Sequence, residues 1–322
     1  MGNLNVVVIG PIDYAKDIGK KSTTSDITFY DQKRGETTLN LIEPTQYPDK
    51  LASLFYATSL ATIALVVVEK IDAVFGECAV MLDCAGIKKG YFVLRNYITP
   101  EQLNPLIKGT VLQNYEFIDD DAIKIRERLL KEADKVDSKE PPSNISTGVV
   151  PIDHFFDVKG IGTVVLGTIV EGVIRRHDEV RVLPSAKIAE VRSIQKHDDD
   201  FSWSTKGDHI GFVLKGVEIT DIDRGTVLTN DSKIKTSSSF NGKMEIVKYW
   251  LIPLKENMVL HIGHWMQFLP CRVESIEDSG DWRNPTIKLK LEKELVFLPG
   301  STAIITHVDA KKLRVIGTMK LD

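Results

Sequence analysis

The sequence lacks an excess of positive charge. Its 322 residues contain 41 Lys and Arg against 45 Asp and Glu, which gives a formal net charge of −4. No global field therefore draws the chain to nucleic acid, and any such binding needs a local patch. Cysteine is scarce as well. Cys78, Cys84 and Cys271 have neither the spacing of a metal site nor the number for a disulfide framework, which predicts a reducing, cytoplasmic location.

Long hydrophobic runs are also missing. No segment approaches the ~18 apolar residues of a membrane span. The apolar start of the chain, residues 1–10, is too short for a signal peptide and has no basic leader. Repeats and low-complexity tracts are absent too. Apolar residues nevertheless make up 43% of the chain, enough for packed cores, and the length allows two or three domains.

The first 134 residues alternate predicted strands and helices. Two apolar runs, Leu4–Ile9 and Ile63–Val68, predict buried strands, and residues 26–42 predict an antiparallel hairpin. Helices are predicted at residues 49–61, 72–85, 100–107 and 120–133. This alternation is typical of a mostly parallel sheet with helices on both faces. The polar, proline-containing segment 135–146 predicts a linker.

The second half of the chain is a series of short predicted strands with glycine at the corners. Gly160 and Gly162 separate the first two strands, at a turn that needs the backbone freedom of glycine. The run 163–170 consists almost entirely of β-forming residues. Further strands are predicted at 180–183, 188–194, 210–214 and 223–228. This spacing predicts a small closed β-barrel, and seven more predicted strands follow between residues 242 and 320.

The residues of this barrel resemble the second domain of translational GTPases of the elongation factor Tu class. The match includes the pattern G-x-G-T-V-V-x-G at 160–167, the sequence Gly-Asp-His-Ile-Gly at 207–211 and the ending Asp-Arg-Gly at 223–225. Asp153-His154 look most like the selenocysteine-specific factors of that class. The strands after residue 233 resemble the third-domain barrel of the same family in layout.

The resemblance implies a multidomain α/β and β protein. A P-loop-GTPase-like α/β domain is expected at 1–140, followed by two six-stranded antiparallel β-barrels at 148–231 and 233–322. A phosphate loop should follow the first strand, with the family pattern G-x-x-D-x-G-K-[ST]. Gly10, Asp13 and Lys16 match this pattern and are the predicted nucleotide-binding residues.

Two positions of the loop depart from the family pattern. Ala15 replaces a glycine, at a place where backbone N–H groups must curl round the phosphates. Asp17 replaces the hydroxyl that holds Mg²⁺, and it adds negative charge close to phosphate. Residues 42–46 stand where the family has D-x-P-G-[HQ], so the Mg²⁺-binding Asp and the γ-phosphate-sensing Gly are both absent. Gln46 remains as a weak catalytic candidate that would orient the attacking water.

Guanine recognition is altered as well. The family motif [NT]-K-x-D should follow the strand that ends at Arg95, but the residues there supply no Asp to pair with guanine. Asp119-Asp120-Asp121 replace the S-A-[LK] loop and are predicted to cap the next helix. We therefore expect a degenerate, archaeal-type paralogue, a pseudo-GTPase with no required cofactor. Binding of GTP or GDP with Mg²⁺ stays open as an alternative.

In this family the second domain, together with the first, holds the 3′ end of an aminoacyl-tRNA and its amino acid. The resemblance places around that pocket five residues of this chain: Asp153, His154, Phe156, Trp203 and His209. Aromatic rings stack readily on bases, which suits a terminal adenine. The alternative is that Phe155 and Phe156 belong to the barrel core and His154 to the surface.

Three functions stay open at this point. The first is a translation factor that binds aminoacyl-tRNA with little or no GTP hydrolysis, with the ribosome as a further candidate partner. The second is an active GTP-binding elongation factor for a specialised tRNA. The third is a regulatory protein that uses the same fold to bind a partner. None of the three involves DNA, a membrane or a metal centre.

Overall fold

The computed structural model describes residues 2–136, 146–197, 199–277 and 280–322. Most of the predicted linker at 135–146 lies outside these described residues. The described residues divide into two units: residues 2–136 with 307–316 form the first, and residues 146–306 with 317–322 form the second. In the described part of the chain, none of the helices combines the length and the apolar character needed to cross a membrane.

The first unit is built on a mostly parallel sheet. Its strands, among the described residues, are β1 (Asn3–Ile9), β2 (Lys20–Thr24), β3 (Thr28–Arg34), β4 (Thr37–Glu43), β5 (Ile63–Val68), β6 (Gly90–Leu94) and β7 (Glu116–Ile118). The spatial order is β2-β3-β4-β1-β5-β6-β7. Strands β4, β1, β5, β6 and β7 run parallel, whereas β2 and β3 continue one edge in antiparallel fashion.

The predicted hairpin at 26–42 is confirmed as β3 and β4. Strand β2 was not predicted because its sequence, Lys-Lys-Ser-Thr-Thr, is polar and mostly exposed, as befits a strand at a sheet edge. The predicted helices are also present in the described residues, as α1 (Leu51–Leu60), α2 (Ala73–Cys84), α3 (Pro100–Ile107) and α4 (Ala122–Ala133). Asp121 caps α4 as predicted, since its carboxylate accepts hydrogen bonds from two backbone N–H groups of the first turn.

The second unit begins with an antiparallel barrel. Its strands, among the described residues, are β8 (Gly148–Val158), β9 (Gly162–Thr168), β10 (Glu171–Arg175), β11 (Glu179–Leu183), β12 (Lys187–Lys196), β13 (Asp199–Phe201), β14 (Trp203–Thr205), β15 (His209–Lys215) and β16 (Val227–Thr229). Six of these described strands close in the order β8-β16-β11-β12-β15-β9, with β9 paired back to β8. Strands β10 and β14 pair outside this ring.

A second six-stranded antiparallel barrel follows. In the described residues it comprises β17 (Lys235–Ile246), β18 (Val259–His264), β19 (Gln267–Glu277), β20 (Thr286–Phe297), β21 (Thr302–Thr306) and β22 (Val315–Lys320), closed in the order β17-β20-β19-β18-β21-β22. The first of the seven strands predicted after residue 242 is expected at 242–251, whereas β17 begins earlier, at Lys235, and ends earlier, at Ile246. The chain leaves the sheet after Ile246 because Arg283 Nη1 holds the carbonyl groups of Val247 and Trp250.

The close crossing of β8 and β9 depends on a glycine. A methyl group at Gly167 would lie 2.5 Å from the carbonyl oxygen of Pro151, whereas one at Gly211, on the neighbouring β15, would lie 3.4 Å from the Leu166 side chain. Because backbone cannot move aside easily, we expect Gly167→Ala to lower the free energy of unfolding by about 1–3 kcal/mol. Gly211→Ala is the matched control and should change it by less than about 1 kcal/mol. Equilibrium urea unfolding measures both, and equal losses would contradict this account.

Candidate functional site

The parallel strands of the first unit end at one edge of the sheet, where open α/β sheets bind their ligands. The predicted phosphate loop, residues 10–17, follows β1 at this edge, and β4 ends beside it. A phosphate loop normally leads into a helix whose N-terminus faces the phosphate. Here it leads into a four-residue 3₁₀ turn, Tyr14–Asp17, and then into β2. The loop therefore has no helix N-terminus to offer an anion.

A carboxylate of the chain itself occupies the hydrogen-bond donors of this loop. Glu43, the last residue of β4, is only 4% exposed. Its Oε2 accepts a hydrogen bond from the N–H of Asp13 at 2.9 Å, and its Oε1 accepts one from the N–H of Ala15 at 2.6 Å. The Tyr30 hydroxyl donates to Oε2 as well, at 3.3 Å. Carboxylate and phosphate oxygens both accept hydrogen bonds from such N–H groups. The Glu43 carboxylate therefore occupies donors that a phosphate would use.

Glu43 was not predicted as a site residue. It stands at the unspecified second position of D-x-P-G-[HQ], so the family pattern gave no reason to examine it. The available signal was a charged residue at the end of the largely buried strand β4. Burial raises the pKa of the Glu43 carboxyl, and this outweighs the opposing effect of the N–H groups of Ala15 and Asp13.

The predicted nucleotide-binding residues lie on this loop but are engaged elsewhere or exposed. A Cβ at Gly10 would lie 2.7 Å from the Val67 Cβ, so glycine lets the loop approach β5 closely. The Asp13 carboxylate accepts hydrogen bonds from the Tyr30 hydroxyl, at 2.6 Å, and from Lys21, at 3.2 Å. Lys16 is exposed, and so is the weak catalytic candidate Gln46.

The two loops that would recognise guanine are joined to each other by side chains. Arg95, after β6, donates from Nε to Asp120 Oδ2 at 2.6 Å and from Nη1 to Glu69 Oε1 at 3.0 Å. The Tyr14 hydroxyl donates to Asp120 Oδ1 at 2.8 Å, and the Arg95 guanidinium carbon lies 5.1 Å from the centre of the Tyr14 ring. Asp120, after β7, is therefore a partner of Arg95 and Tyr14.

These residues do not fit a guanine nucleotide with Mg²⁺. The N–H groups of Asp13 and Ala15 donate to Glu43, and Asp17 stands at the position of the Mg²⁺-binding hydroxyl. We therefore assign no step of GTP hydrolysis to the chain. In the described part of the chain, no group of three or more His, Cys, Asp or Glu residues is placed to hold a metal ion.

The first barrel brings together four of the five predicted tRNA-binding residues. Asp153 is buried, with Oδ1 2.7 Å from Nδ1 of His154 and Oδ2 3.1 Å from Nε2 of His209. The Phe156 ring lies parallel to the His154 ring, with 6.5 Å between centroids. His154 is 8% exposed and Phe156 43% exposed. The alternative is right for Phe155, which packs against the barrel core, but wrong for Phe156, which is exposed, and for His154, which is buried.

The Asp153 carboxylate fixes the two imidazole rings. Burial by itself would raise the pKa of Asp153, but the charge of His209 and the hydrogen bonds of both imidazoles lower it to about 2. An ionised carboxylate only accepts hydrogen bonds, so it determines which nitrogen of each ring donates to it. The cluster thus offers fixed imidazoles beside an exposed aromatic ring, which suits hydrogen bonding and base stacking.

Arg224 belongs to the same cluster and was not predicted as a site residue. Its Nε donates to the Asp153 carbonyl oxygen at 3.1 Å, and the residue is half-buried. The sequence signal was its place in the Asp-Arg-Gly ending of the barrel. A guanidinium group here brings positive charge and further donors next to the backbone of Asp153.

Trp203 reaches the cluster only through other residues. It lies on β14, and its ring centre is 4.8 Å from Nζ of Lys196. Lys196 in turn pairs with Asp208, the residue that precedes His209. The structure therefore connects Trp203 with the other predicted residues through a buried ion pair.

Comparisons with known proteins agree with this architecture. Residues 162–229 match the family described as Elongation factor Tu domain 2. An uncharacterized protein of Methanocaldococcus jannaschii is 33% identical over 100% of both chains. The selenocysteine-specific elongation factor of the same organism is 27% identical over 96% of this chain and 77% of its own.

A solved structure shows the same fold. The translation elongation factor SelB from Methanococcus maripaludis, in complex with the GTP analogue GppNHp, superimposes with a TM-score of 0.83 at 23% identity, covering 100% of this chain and 79% of that one. Its apo form gives a TM-score of 0.80 at 24% identity, covering 99% and 79%. The α/β domain and both barrels therefore have counterparts in that protein.

The lowered pKa of Asp153 predicts a pH-dependent contribution to stability. This contribution is present above the unfolded-state pKa of about 4 and is lost as the pH falls through the folded-state value of about 2. We expect the difference in unfolding free energy between the wild type and Asp153→Asn to shrink by about 2 kcal/mol between pH 5 and pH 2. Urea unfolding across this range measures the difference.

Asp157→Asn, at an exposed position on the same strand β8, is the matched control and should stay close to the wild type at pH 5. A gap between Asp153→Asn and the wild type that stays constant down to pH 2 would show that the two imidazoles do not stabilise the Asp153 charge.

Proposed function

Because the chain belongs to the translational GTPase superfamily of the elongation factor Tu and selenocysteine-specific elongation factor type, we propose that it binds aminoacyl-tRNA without a cycle of GTP binding and hydrolysis. A cytoplasmic location and contact with the ribosome belong to the same proposal. The selenocysteine-specific relative is an elongation factor by name, and this chain is proposed to keep the carrier function of that class alone.

One observation carries the proposal: the Glu43 carboxylate accepts hydrogen bonds from the loop N–H groups of Asp13 and Ala15. A nucleotide phosphate would have to displace a buried carboxylate, which also carries negative charge, from its own donors. A displaced Glu43 would then stand as a second negative charge next to the phosphate. Nucleotide binding therefore meets both competition for donors and repulsion.

The barrel supports the carrier half of the proposal. Phe156 offers an exposed ring for stacking on the terminal base of tRNA, and stacking of this kind is sequence-tolerant. The imidazoles of His154 and His209, both oriented by Asp153, offer polar contacts to an esterified amino acid. Amino-acid recognition needs contacts of this second kind, because the stacked base is common to every charged tRNA.

The proposal predicts a preference for charged over uncharged tRNA that is independent of nucleotide. Filter binding with one tRNA, charged and uncharged, should show the preference equally with GTP, with GDP and with neither. Phe156→Ala and Trp203→Ala should each weaken binding of charged tRNA by about 1–3 kcal/mol, the range for loss of a base-stacking side chain, and His154→Ala should weaken it through the loss of a polar contact. His177→Ala is the control, since His177 is exposed and pairs with Glu190 in the same barrel.

Two outcomes would overturn the proposal. Equal affinity for charged and uncharged tRNA would remove the carrier function and favour a regulatory protein that binds some other partner. Binding that requires GTP, or GTP turnover comparable to that of an ordinary elongation factor, would instead favour an active GTPase.

A further inference from the structure

A buried lysine lies at the centre of an aromatic and acidic pocket in the first barrel. Lys196, the last residue of β12, has a side chain that is 6% exposed. Its Nζ lies 2.5 Å from Asp208 Oδ2, and the Asp208 side chain is 5% exposed. The same Nζ is 4.5 Å from the centre of the Phe201 ring and 4.8 Å from that of Trp203. One ammonium group therefore contacts a carboxylate and two aromatic faces.

Each of these contacts compensates for the burial of charge. A lone ammonium group removed from water is unfavourable by several kcal/mol, and a paired carboxylate with further hydrogen bonds offsets much of that. Asp208 Oδ2 also accepts a hydrogen bond from the Thr205 N–H at 2.9 Å. The aromatic faces of Phe201 and Trp203 add cation–π attraction, which is strongest where water is excluded.

The ion pair connects the two parts of the predicted tRNA site. On one side, Lys196 contacts the ring of Trp203, and the Asp208 partner Thr205 lies on the same short strand β14. On the other side, Asp208 is followed directly by His209, whose Nε2 lies 3.1 Å from Asp153 Oδ2. Lys196 and Asp208 thus lie between the indole of Trp203 and the Asp153 cluster.

We propose that Lys196 is a positioning residue for charged tRNA, one that holds Trp203 and, through Asp208, His209 in their binding orientations without contacting the RNA. This inference rests on the proposed function, since it assumes that the barrel receives the aminoacyl end. Lys196 affects tRNA binding through the positions of Trp203 and His209, because a side chain so deeply buried cannot serve as a surface phosphate contact.

The test compares variants that separate charge, shape and folding. Lys196→Arg keeps a positive charge for Asp208 and the aromatic rings. Lys196→Met keeps a long apolar stem and removes the charge. The double variant Lys196→Met/Asp208→Asn removes both charges, so no lone charge is left buried if the single variant fails to fold. Lys215→Met is the matched control, because Lys215 pairs with Glu190 in the same barrel but is 68% exposed.

Two quantities are measured for each folded variant. The first is the affinity ratio for charged and uncharged tRNA. The second, on the free protein, is the set of NMR signals of the Trp203 indole N–H and the His209 ring. We expect Lys196→Met and the double variant to weaken charged-tRNA binding about tenfold, the scale of one lost stacking contact, and to shift both sets of signals. Lys196→Arg and Lys215→Met should remain within about threefold of the wild type.

Several results would overturn the inference. It fails if the folded double variant binds charged tRNA as the wild type does, or if the Trp203 and His209 signals do not move. It also fails if Lys196→Arg is as defective as Lys196→Met while both are folded. A wild-type protein that does not prefer charged tRNA would refute the proposed function instead. The NMR signals of the free protein would then decide by themselves whether Lys196 holds the two rings.

Discussion

A buried carboxylate must find hydrogen-bond donors, and in the first unit Glu43 finds them in the loop after β1. The requirement is strong because a buried charge without partners is among the least favourable groups in a folded protein. It explains the local geometry: Asp13 has a left-handed backbone, with φ of 63°, and directs its N–H to the carboxylate. It also supports the proposal that the loop does not bind nucleotide, since two of its N–H donors have an intramolecular partner.

In the first barrel, two buried carboxylates also have intramolecular partners, and each side-chain partner is a ring or contacts one. Asp153 is satisfied by two imidazoles, and Asp208 by the ammonium group of Lys196 and the N–H of Thr205. Satisfying the charge therefore also orients an aromatic or imidazole group. The same physical constraint thus occupies N–H donors in the first unit and orients rings in the barrel, which is what the proposed tRNA binding without a GTP cycle requires.

The sequence predicted most of the fold because the deciding signals are local. The apolar run Ile63–Val68, the turn glycines Gly160 and Gly162, and the capping residue Asp121 all lie within a few residues of the structure that they determine. The polar edge strand β2 carries no such signal. The end of β17 was misplaced for a different reason, since Arg283, 36 residues from Val247 in sequence, draws the chain away from the sheet.

The candidate site was predicted only in part, because contacts between residues far apart in sequence leave no local signal. The family resemblance placed Asp153, His154 and His209 in one pocket, and the structure shows the contacts among them. Glu43 was missed because its N–H partners lie 30 and 28 residues away and donate from the backbone, which leaves no side-chain pattern to read.

The central claim is that the Glu43 carboxylate occupies the N–H groups of Asp13 and Ala15 and thereby prevents a nucleotide phosphate from binding to them. The most direct measurement follows the amide NMR signals of Asp13 and Ala15 while GTP and Mg²⁺ are added. The account predicts that both signals stay unchanged throughout the titration in the wild type, and that Glu43→Gln moves both without added nucleotide. Saturable shifts of both amides in the wild-type protein would contradict it, because they would show that phosphate displaces the Glu43 carboxylate from the loop.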